Sequence, residues 1–312
     1  MRPLAVVHHR HEEWVSALRE AEPRLEIRGF HPRDPLDGSF IGRAEGLFVW
    51  KVPEGLIARM PRLTWVQSAG AGVDHLVTDP SIPAGLPITR ADGQFGFWMA
   101  RYTVAHLLAP TQRLDECREA QGERRWAPKL LPEDLTGEGA LVLGFGRIGR
   151  QIGRALRELG LEVRGFVRTP RPDAEFPLHA ARDLGDFLPR ARVLVLCAPL
   201  TGETGGLVNA ALLAAGHPRL VLVNVARGAL VVTADLLEAL DAGCLERAVL
   251  DVFAEEPLPA DSPLWSHPKV VVTPHHSGPS TPRAMVPDVL GNLRRFAEGR
   301  PVVDPVDRAR GY

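Results

Sequence analysis

Short apolar, β-branched runs alternate with segments of helical periodicity along the whole chain. In the first part of the chain, a helix is predicted over Glu12–Ala21 and a short helix near Glu54–Arg59. Strands are predicted over Leu4–His8, Leu25–Arg28, Gly46–Trp50, Thr64–Gln67 and Pro87–Arg90. Such alternation is typical of βαβ units and therefore predicts a parallel sheet.

A long helical pattern from Gly96 to Glu123 precedes a second alternation, and Pro110 is expected to kink or divide that helix. Helices follow over Arg147–Leu159 and Thr281–Glu298. Strands are predicted over Ala140–Leu143, Glu162–Val167, Val193–Leu196, Leu220–Asn224, Ala248–Leu250 and Val270–Thr273. These runs are apolar on both faces, as a sheet covered by helices on both sides requires. The pattern predicts two α/β domains with a seam near residues 95–135.

Composition narrows the class of protein. The 312 residues are 45% hydrophobic and 24% charged, which is ordinary for a globular protein with a large core. Lysine plus arginine number 37 against 38 acidic residues, so a nucleic-acid or anionic-membrane partner is not expected. No apolar run approaches the length of a membrane span, and the start of the chain does not read as a signal peptide. We therefore expect a cytoplasmic protein.

Cysteine and histidine usage argues against a metal or disulfide framework. Cys117, Cys197 and Cys244 lie far apart, and the sequence contains no C-x-x-C pair. His8, His9 and His11 are close together but fit no zinc-binding spacing. We predict no metal site.

The segment Gly144-Phe145-Gly146-Arg147-Ile148-Gly149 fits the G-x-G-x-x-G pattern. Alone this pattern is weak, but here a predicted strand directly precedes it and a predicted helix begins within it. The chain can turn tightly at Gly144 and bring backbone close to a pyrophosphate at Gly146, while Gly149 lets the helix pack on the strand. The context predicts a dinucleotide site. The alternative is a glycine-rich helix start that binds nothing.

The end of the next predicted strand bears on the choice of coenzyme. Val167 stands where an acidic residue would bind the ribose 2′-hydroxyl of NAD, and Arg168 and Thr169 follow it. An arginine pairs with a 2′-phosphate, which a carboxylate would repel. NADP(H) is therefore favoured over NAD(H). The alternative is that Arg168 is a solvated cation and Val167 tolerates NAD.

Three later segments place reactive side chains after predicted strands. They are Asn224–Gly228, Leu250–Pro259 and Thr273–His276, and they offer an arginine, carboxylates and imidazoles. A 2-oxo acid reductase needs a cation to hold the carboxylate, an imidazolium to give a proton to the alcohol, and a carboxylate to orient that ring. From the residues alone each candidate has a structural alternative, such as a helix cap, a solvated acid or a turn histidine.

Together these segments resemble the D-isomer-specific 2-hydroxyacid dehydrogenase family. The matching motifs are Ser68–Asp74, the glycine loop, Ala198–Thr201 with Thr204, Asn224–Gly228, Leu250–Phe253, Glu256–Pro259 and Thr273–His275. They occur in the family's order and spacing from about residue 46 onward. The segment Leu264–Pro268, with Met99, Tyr102 and the missing strand-end acid, is similar to the glyoxylate/hydroxypyruvate reductase A branch.

The resemblance implies three sets of site residues. The catalytic set is Arg227, Glu256 and His275. Substrate contacts fall on Trp50, Lys51, Gly70, Ala71 and Gly72, together with Arg227 and His275. Coenzyme contacts fall on Gly144, Phe145, Gly146, Arg147, Ile148, Gly149, Arg168, Thr169, Ala198, Pro199, Thr204, Val225, Ala226 and Asp251.

The resemblance also implies an architecture and an activity. Two doubly wound parallel-sheet domains, Rossmann- or flavodoxin-like, are expected: residues 1–95 plus 285–312 for substrate and 96–284 for dinucleotide, with an interdomain active-site cleft. The implied reaction reduces a small 2-oxo acid such as glyoxylate or hydroxypyruvate to the 2-hydroxy acid, with hydride from nicotinamide and a proton from His275. A homodimer is expected. The alternatives are another 2-oxo acid as substrate, or a dinucleotide-sensing, corepressor-like binding protein.

Overall fold

The computed structural model describes residues 1–91, 94–278 and 280–311. The chain forms two compact units, Met1–Gln94 with Ser280–Tyr312 and Phe95–Pro279. None of the helices in these ranges combines the length and apolar character that a membrane crossing requires. That the first unit binds the substrate and the second unit binds the dinucleotide stays a prediction.

The first unit is a five-stranded parallel sheet with helices. Its elements run β1 (Arg2–Val7), α1 (His11–Ala21), β2 (Leu25–Phe30), α2 (Gly38–Ile41), β3 (Gly46–Val49), β4 (Trp65–Ser68), α3 (Asp74–Val77) and β5 (Ile88–Thr89). The strand order is β2-β1-β3-β4-β5, and each neighbouring pair is parallel. The order reverses between β1 and β3, which is the switch point of a doubly wound sheet.

The second unit carries a seven-stranded parallel sheet. It contains α4 (Phe95–Thr111), α5 (Leu114–Gly122), β6 (Gly139–Leu143), α6 (Arg147–Glu158), β7 (Glu162–Val167), β8 (Leu178–Ala180), β9 (Ala191–Leu196), α7 (Ala210–Ala214), β10 (Val221–Asn224), α8 (Thr233–Asp241), β11 (Arg247–Leu250) and β12 (Val270–Val272). The strand order is β12-β11-β10-β9-β6-β7-β8. The chain then returns to the first unit as α9 (Pro282–Ala297).

Both sheets are parallel and doubly wound, so the predicted fold class is confirmed. The second sheet is buried on both faces because its central strands are apolar throughout. Leu141, Leu194 and Leu222 pack on one side, in a different cluster from Val142 and Val195 on the other. Packing on both faces fixes the strands, and with them the loops that leave their ends.

Two predicted helices differ from the structure. The pattern 96–123 forms two helices: α4 continues through Pro110 to Thr111, and the chain breaks at Arg113, whose φ is 54°. Proline removes one hydrogen bond and weakens the last turn, so the division follows it by a few residues. The predicted helix Glu54–Arg59 is wrong in extent. Gly55, with φ of 71°, interrupts it, and a 3₁₀ turn over Ile57–Arg59 remains.

Candidate active site

The predicted catalytic and coenzyme residues of the second unit all follow the carboxyl ends of strands. Gly144 follows β6, Arg168 follows β7 and Ala198 follows β9. Arg227 follows β10, Glu256 comes after β11, and His275 comes after β12. Because parallel strands end at the same edge of a sheet, these loops share one edge, where open α/β sheets bind ligands.

The glycine loop has the geometry that its pattern predicts. Gly144 has φ of 91°, and a Cβ there would lie 2.4 Å from the backbone N of Ala198. A Cβ on Gly149 would lie 2.1 Å from the carbonyl O of Gly144, so helix α6 packs directly on the turn. Around Gly146, which caps α6, a Cβ would meet no described atom within 4 Å. The turn is therefore closely packed at Gly144 and Gly149, and space remains beside Gly146, where a pyrophosphate would lie.

Within the loop, the side chains are divided between core and surface. The Phe145 side chain is buried and packs on Phe176 with 5.0 Å between ring centroids. Gly153 and Gly165 make room for it, since a Cβ on either would meet its ring. Phe145 can therefore offer a ligand its backbone only. Arg147 is exposed and Ile148 half-buried.

Directly after β7, the described residues 168–170 include a cation and no acidic side chain. Arg168 and Thr169 are exposed, and Val167 is half-buried. The Arg168 guanidinium lies 3.9 Å from the carboxylate of Glu203, and more than half of each side chain is exposed. An ion pair this long between solvated groups is weak, so it leaves Arg168 able to bind an added anion.

The Thr204 hydroxyl holds together the loop that follows β9. Thr204 Oγ1 donates to the Pro199 carbonyl at 2.7 Å and accepts from the Thr201 backbone N–H at 2.8 Å. Ala198 is buried at its start. The Thr204 side chain therefore shapes this loop.

An asparagine shapes the turn that carries Arg227. The buried Asn224 side chain donates to the Arg227 carbonyl at 2.9 Å and accepts from the Ala226 N–H at 3.1 Å. Val225 and Ala226 are buried. A Cβ on Gly228 would lie 1.9 Å from the carbonyl carbon of Phe253. This glycine therefore lets the loops after β10 and β11 touch.

His275 and Glu256 form a hydrogen-bonded pair. His275 Nδ1 lies 2.8 Å from Glu256 Oε2, and Glu256 Oε1 accepts from the Phe253 backbone N–H at 2.9 Å. Both side chains are more than one-third exposed. A carboxylate on Nδ1 fixes the ring orientation and the tautomer, and leaves Nε2 for a ligand.

The backbone of His275 has an unusual conformation that Asp251 holds. His275 has φ of 52°, in the left-handed region, and its N–H donates to the Asp251 carbonyl at 2.9 Å. The Asp251 carboxylate is fully buried and accepts from the N–H groups of His276 at 3.0 Å and Ser277 at 2.9 Å, and from Thr273 Oγ1 at 2.6 Å. The family resemblance implies a coenzyme contact for Asp251 but does not predict this anchoring of the histidine loop.

Tyr102 on α4 reaches the same loop. Its hydroxyl lies 2.7 Å from Thr273 Oγ1, and burial raises the pKa of the Tyr102 hydroxyl above its usual range. The next turn of α4 carries His106, whose ring centroid is 4.4 Å from that of Tyr102; burial lowers the pKa of His106. The sequence offered one signal for this contact, a tyrosine in a mostly apolar helix.

The predicted substrate residues of the first unit follow two neighbouring strands, β3 and β4. The Trp50 indole lies against Gly70, where a Cβ would be 2.2 Å from its Cζ3, and packs on His75. The Gly70 N–H donates to Ser68 Oγ at 3.2 Å. Ala71 and Gly72 are half-buried. The structure therefore brings Trp50 and Gly70 together.

A cavity of about 290 Å³ lies where the strand order of the first sheet reverses. Trp50 and exposed Lys51 line it on one side and His8 on another, with Glu54 also in the lining. Burial lowers the pKa of His8 to about 4, so its ring is neutral near pH 7. Open sheets bind ligands at such switch points.

The second unit thus joins a dinucleotide-type glycine loop to an Arg, Glu and His set on one sheet edge. That combination defines a nicotinamide-dependent oxidoreductase. The family model "D-isomer specific 2-hydroxyacid dehydrogenase, NAD binding domain" matches residues 104–277. The chain belongs to the D-isomer specific 2-hydroxyacid dehydrogenase family and is an NAD(P)-dependent oxidoreductase.

Relatives cover nearly the whole chain. The glyoxylate/hydroxypyruvate reductase A of Photorhabdus laumondii is 35% identical over 307 residues, 96% of each chain. The structure of a D-isomer specific 2-hydroxyacid dehydrogenase from Xanthobacter autotrophicus Py2, in complex with NADPH and MES, matches with a TM-score of 0.89 at 36% identity, covering 100% of both chains. An NADPH-dependent glyoxylate/hydroxypyruvate reductase from Sinorhizobium meliloti, in complex with NADP and sulfate, matches with a TM-score of 0.87 at 33% identity, also over 100% of both.

Proposed function

We propose that this protein reduces small 2-oxo acids, of which glyoxylate and hydroxypyruvate are the first candidates, to 2-hydroxy acids with NADPH. The observation that carries the proposal is the pair of His275 and Glu256, 2.8 Å apart, after strands of the sheet that also carries the glycine loop. The names of the reductases in Photorhabdus laumondii and Sinorhizobium meliloti support the same substrates.

The chain's own residues divide the work. His275, oriented by Glu256 at Nδ1, presents Nε2 as the proton donor to the oxygen of the carbonyl group. Arg227 supplies a fixed positive charge that binds the substrate carboxylate and polarises the ketone. In the first unit, the backbone N–H groups of Ala71 and Gly72 bind the acid, since that of Gly70 already donates to Ser68 Oγ, while Trp50 and Lys51 line the pocket.

The coenzyme fits the loop at Gly144–Gly149, where tight turns and an open Gly146 leave room for a pyrophosphate. When bound, the reduced nicotinamide supplies the hydride. Arg168 and Thr169 hold the 2′-phosphate, while Ala198, Pro199, Val225 and Ala226 contribute to the remaining coenzyme surface, and the fully buried Asp251 supports it from beneath. NADPH is preferred because Arg168 offers a cation where a carboxylate would select NADH. Because such an enzyme needs a compartment that regenerates NADPH, we place it in the cytoplasm.

The test is a set of absorbance assays at the nicotinamide band. Each of NADPH and NADH is combined with glyoxylate, hydroxypyruvate, pyruvate and phenylpyruvate, with a well lacking any acid as the control. We expect turnover of the two small acids, faster with NADPH. Binding of dinucleotide without turnover of any acid would contradict the proposal.

We further propose that the active form is a homodimer built through the second unit. Large apolar side chains are exposed there: Trp126 at 91%, Leu131 at 69% and Leu114 at 50%. Contiguous exposed apolar surface is typical of interfaces between chains, and we propose that these side chains belong to one. Light scattering on the wild type and on the Trp126→Ser/Leu131→Ser double variant tests this. A wild type with the mass of a monomer would contradict it.

A further inference from the structure

The loop that carries His275 is connected by hydrogen bonds to helix α4, far away in sequence. Tyr102 and Thr273 are 171 positions apart, yet their hydroxyl oxygens lie 2.7 Å from each other. Thr273 Oγ1 in turn lies 2.6 Å from the buried Asp251 carboxylate. These contacts form one chain from α4 through Thr273 to Asp251.

The direction of the hydrogen bonds follows from the number of protons. A threonine hydroxyl has one proton, and an ionised carboxylate only accepts. The Thr273 proton therefore goes to Asp251, so the Tyr102 hydroxyl must donate to Thr273. Each hydroxyl orients the next, and a chain of this kind in a buried region is stronger than its separate bonds.

Asp251 connects these hydrogen bonds to the loop that carries His275. Its side chain accepts from the N–H groups of His276 and Ser277, and its carbonyl accepts from the N–H of His275. These bonds hold the left-handed backbone of His275, at φ of 52°, which a non-glycine residue adopts only under constraint. The direction of the His275 ring toward Glu256 depends on that backbone.

Helix α4, which carries Tyr102, is packed closely against two other segments of the second unit. A Cβ on Gly278 would lie 2.6 Å from Phe95 and 2.9 Å from Met99, so the end of the histidine loop packs on the first turns of α4. On another side, a Cβ on Gly96 would lie 2.4 Å from Gln151 Oε1 of α6, the helix that begins in the glycine loop. Tyr102 therefore sits on a helix in contact with both the histidine loop and α6.

We propose that Tyr102 is a positioning residue for the proton donor: through Thr273 and Asp251 it holds the loop in which His275 meets Glu256. The proposal rests on the proposed function for its kinetic test. Tyr102 acts on His275 through two other residues.

The variants separate the hydroxyl from packing. Tyr102→Phe keeps the ring contacts with His106 and His276 and removes the donor. Thr273→Val removes the hydroxyl that links Tyr102 to Asp251, whereas Thr273→Ser keeps a hydroxyl at that position. Thr103→Val is the matched control, because the buried Thr103 hydroxyl on the same helix bonds only to the Met99 carbonyl, 2.8 Å away, among the described residues.

We expect Tyr102→Phe to lower kcat with glyoxylate about three- to tenfold and Thr273→Val about a hundredfold, with the KM for NADPH within about twofold of wild type. Thr273→Ser recovers most of the rate, and Thr103→Val keeps it. The primary deuterium isotope effect with 4-deuterated NADPH rises in Tyr102→Phe, because the chemical step becomes slower. A wild-type kcat, or a lower kcat with an unchanged isotope effect, would overturn the proposal, since loss of active protein alone leaves that effect unchanged.

A second readout needs no turnover. In protein with ¹⁵N-labelled histidine, the Nδ1–H signal of His275, assigned from its loss in His275→Gln, reports the bond to Glu256. We expect it to shift or broaden in Tyr102→Phe and to stay in place in Thr103→Val. An unchanged signal in Tyr102→Phe would overturn the positioning role even if no acid is reduced, whereas absence of turnover in the wild type would overturn only the proposed function.

Discussion

At the level of single residues, the site depends on polar groups that are held by neighbours in three dimensions. His275 takes a left-handed backbone conformation, which costs a non-glycine residue on the order of 1 kcal/mol. The hydrogen bonds that the loop N–H groups donate to Asp251 offset that cost. Glu256 is likewise fixed by the Phe253 N–H before it contacts the imidazole.

Glu256→Gln should separate the charge of this acid from its shape. A glutamine can still accept from the Phe253 N–H, but it presents an N–H to His275 Nδ1 and so disfavours the doubly protonated ring. We expect kcat/KM for glyoxylate to fall about 10²-fold, a typical contribution of a general acid. Steady-state rates measure this, with Glu255→Gln as the neighbouring control. Equal rates for wild type and Glu256→Gln would show that Glu256 does not serve His275.

Arg168→Ala should change the choice of coenzyme. Removing the guanidinium takes away the partner of the 2′-phosphate and leaves NADH binding untouched, so we expect the KM for NADPH to rise about tenfold or more. Steady-state titration of both coenzymes gives the ratio. Arg164→Ala, inside β7 and paired with Glu162, is the control. An unchanged ratio in Arg168→Ala would mean that another group contacts the phosphate.

At the level of elements, the site is made by the loops that leave neighbouring parallel strands. The sequence alone predicted the central strands well, because a sheet covered on both faces needs continuous apolar runs. It did not predict α2, α3 and α7, which have only four or five residues and show too little periodicity, nor the three-residue edge strand β8. The sequence pattern does not predict helix α8 (Thr233–Asp241) either.

Gly228→Ala should disturb two loops at once. The added Cβ would lie 1.9 Å from the carbonyl carbon of Phe253 and 2.2 Å from the Ala254 N, so backbone must move between Arg227 and Glu256. We expect a loss of stability of about 1–3 kcal/mol and a clear fall in kcat. Urea unfolding and steady-state assays measure both.

The control for that variant is Gly291→Ala in the exposed part of α9, where a Cβ would meet no described atom within 4 Å. It should stabilise the protein by about 0.5–1 kcal/mol, because alanine is the better helix former. If Gly228→Ala were as harmless as Gly291→Ala, the loops after β10 and β11 would not be in contact.

At the level of the whole molecule, the order of strands decides where reactive residues meet. The motifs were recognisable in the sequence, since the glycine loop, Arg227, Glu256 and His275 each follow a predicted strand. The sequence could not show that Tyr102 meets Thr273 across 171 positions, or that Asp251 is buried beneath the histidine loop. Such contacts depend on strand order and helix packing, which no local pattern contains.

Stability of the fold should depend on pH through His8. Burial lowers the His8 pKa from 6.5 to about 4, so below about pH 6.5 the unfolded chain binds a proton that the folded chain refuses. The protein should therefore lose stability as the pH falls from about 6.5 to 4. His8→Asn, whose carbonyl can still accept from the Arg10 N–H, should reduce this dependence.

Thermal unfolding at about pH 7.5 and 5 measures the effect, with His217→Asn as the control, because the His217 ring also accepts a hydrogen bond from the backbone N–H two residues later. If wild type and His8→Asn lost the same stability between these two pH values, His8 would not be the group responsible.

The proposed reaction is tested by following its product. Purified protein is mixed with NADPH and glyoxylate, the loss of nicotinamide absorbance is recorded, and glycolate is identified by NMR, with His275→Gln in parallel. We expect one glycolate for each NADPH consumed by the wild type, and a rate lower by about 10²-fold or more in His275→Gln. Equal rates in the two proteins, or NADPH loss without glycolate, would contradict it.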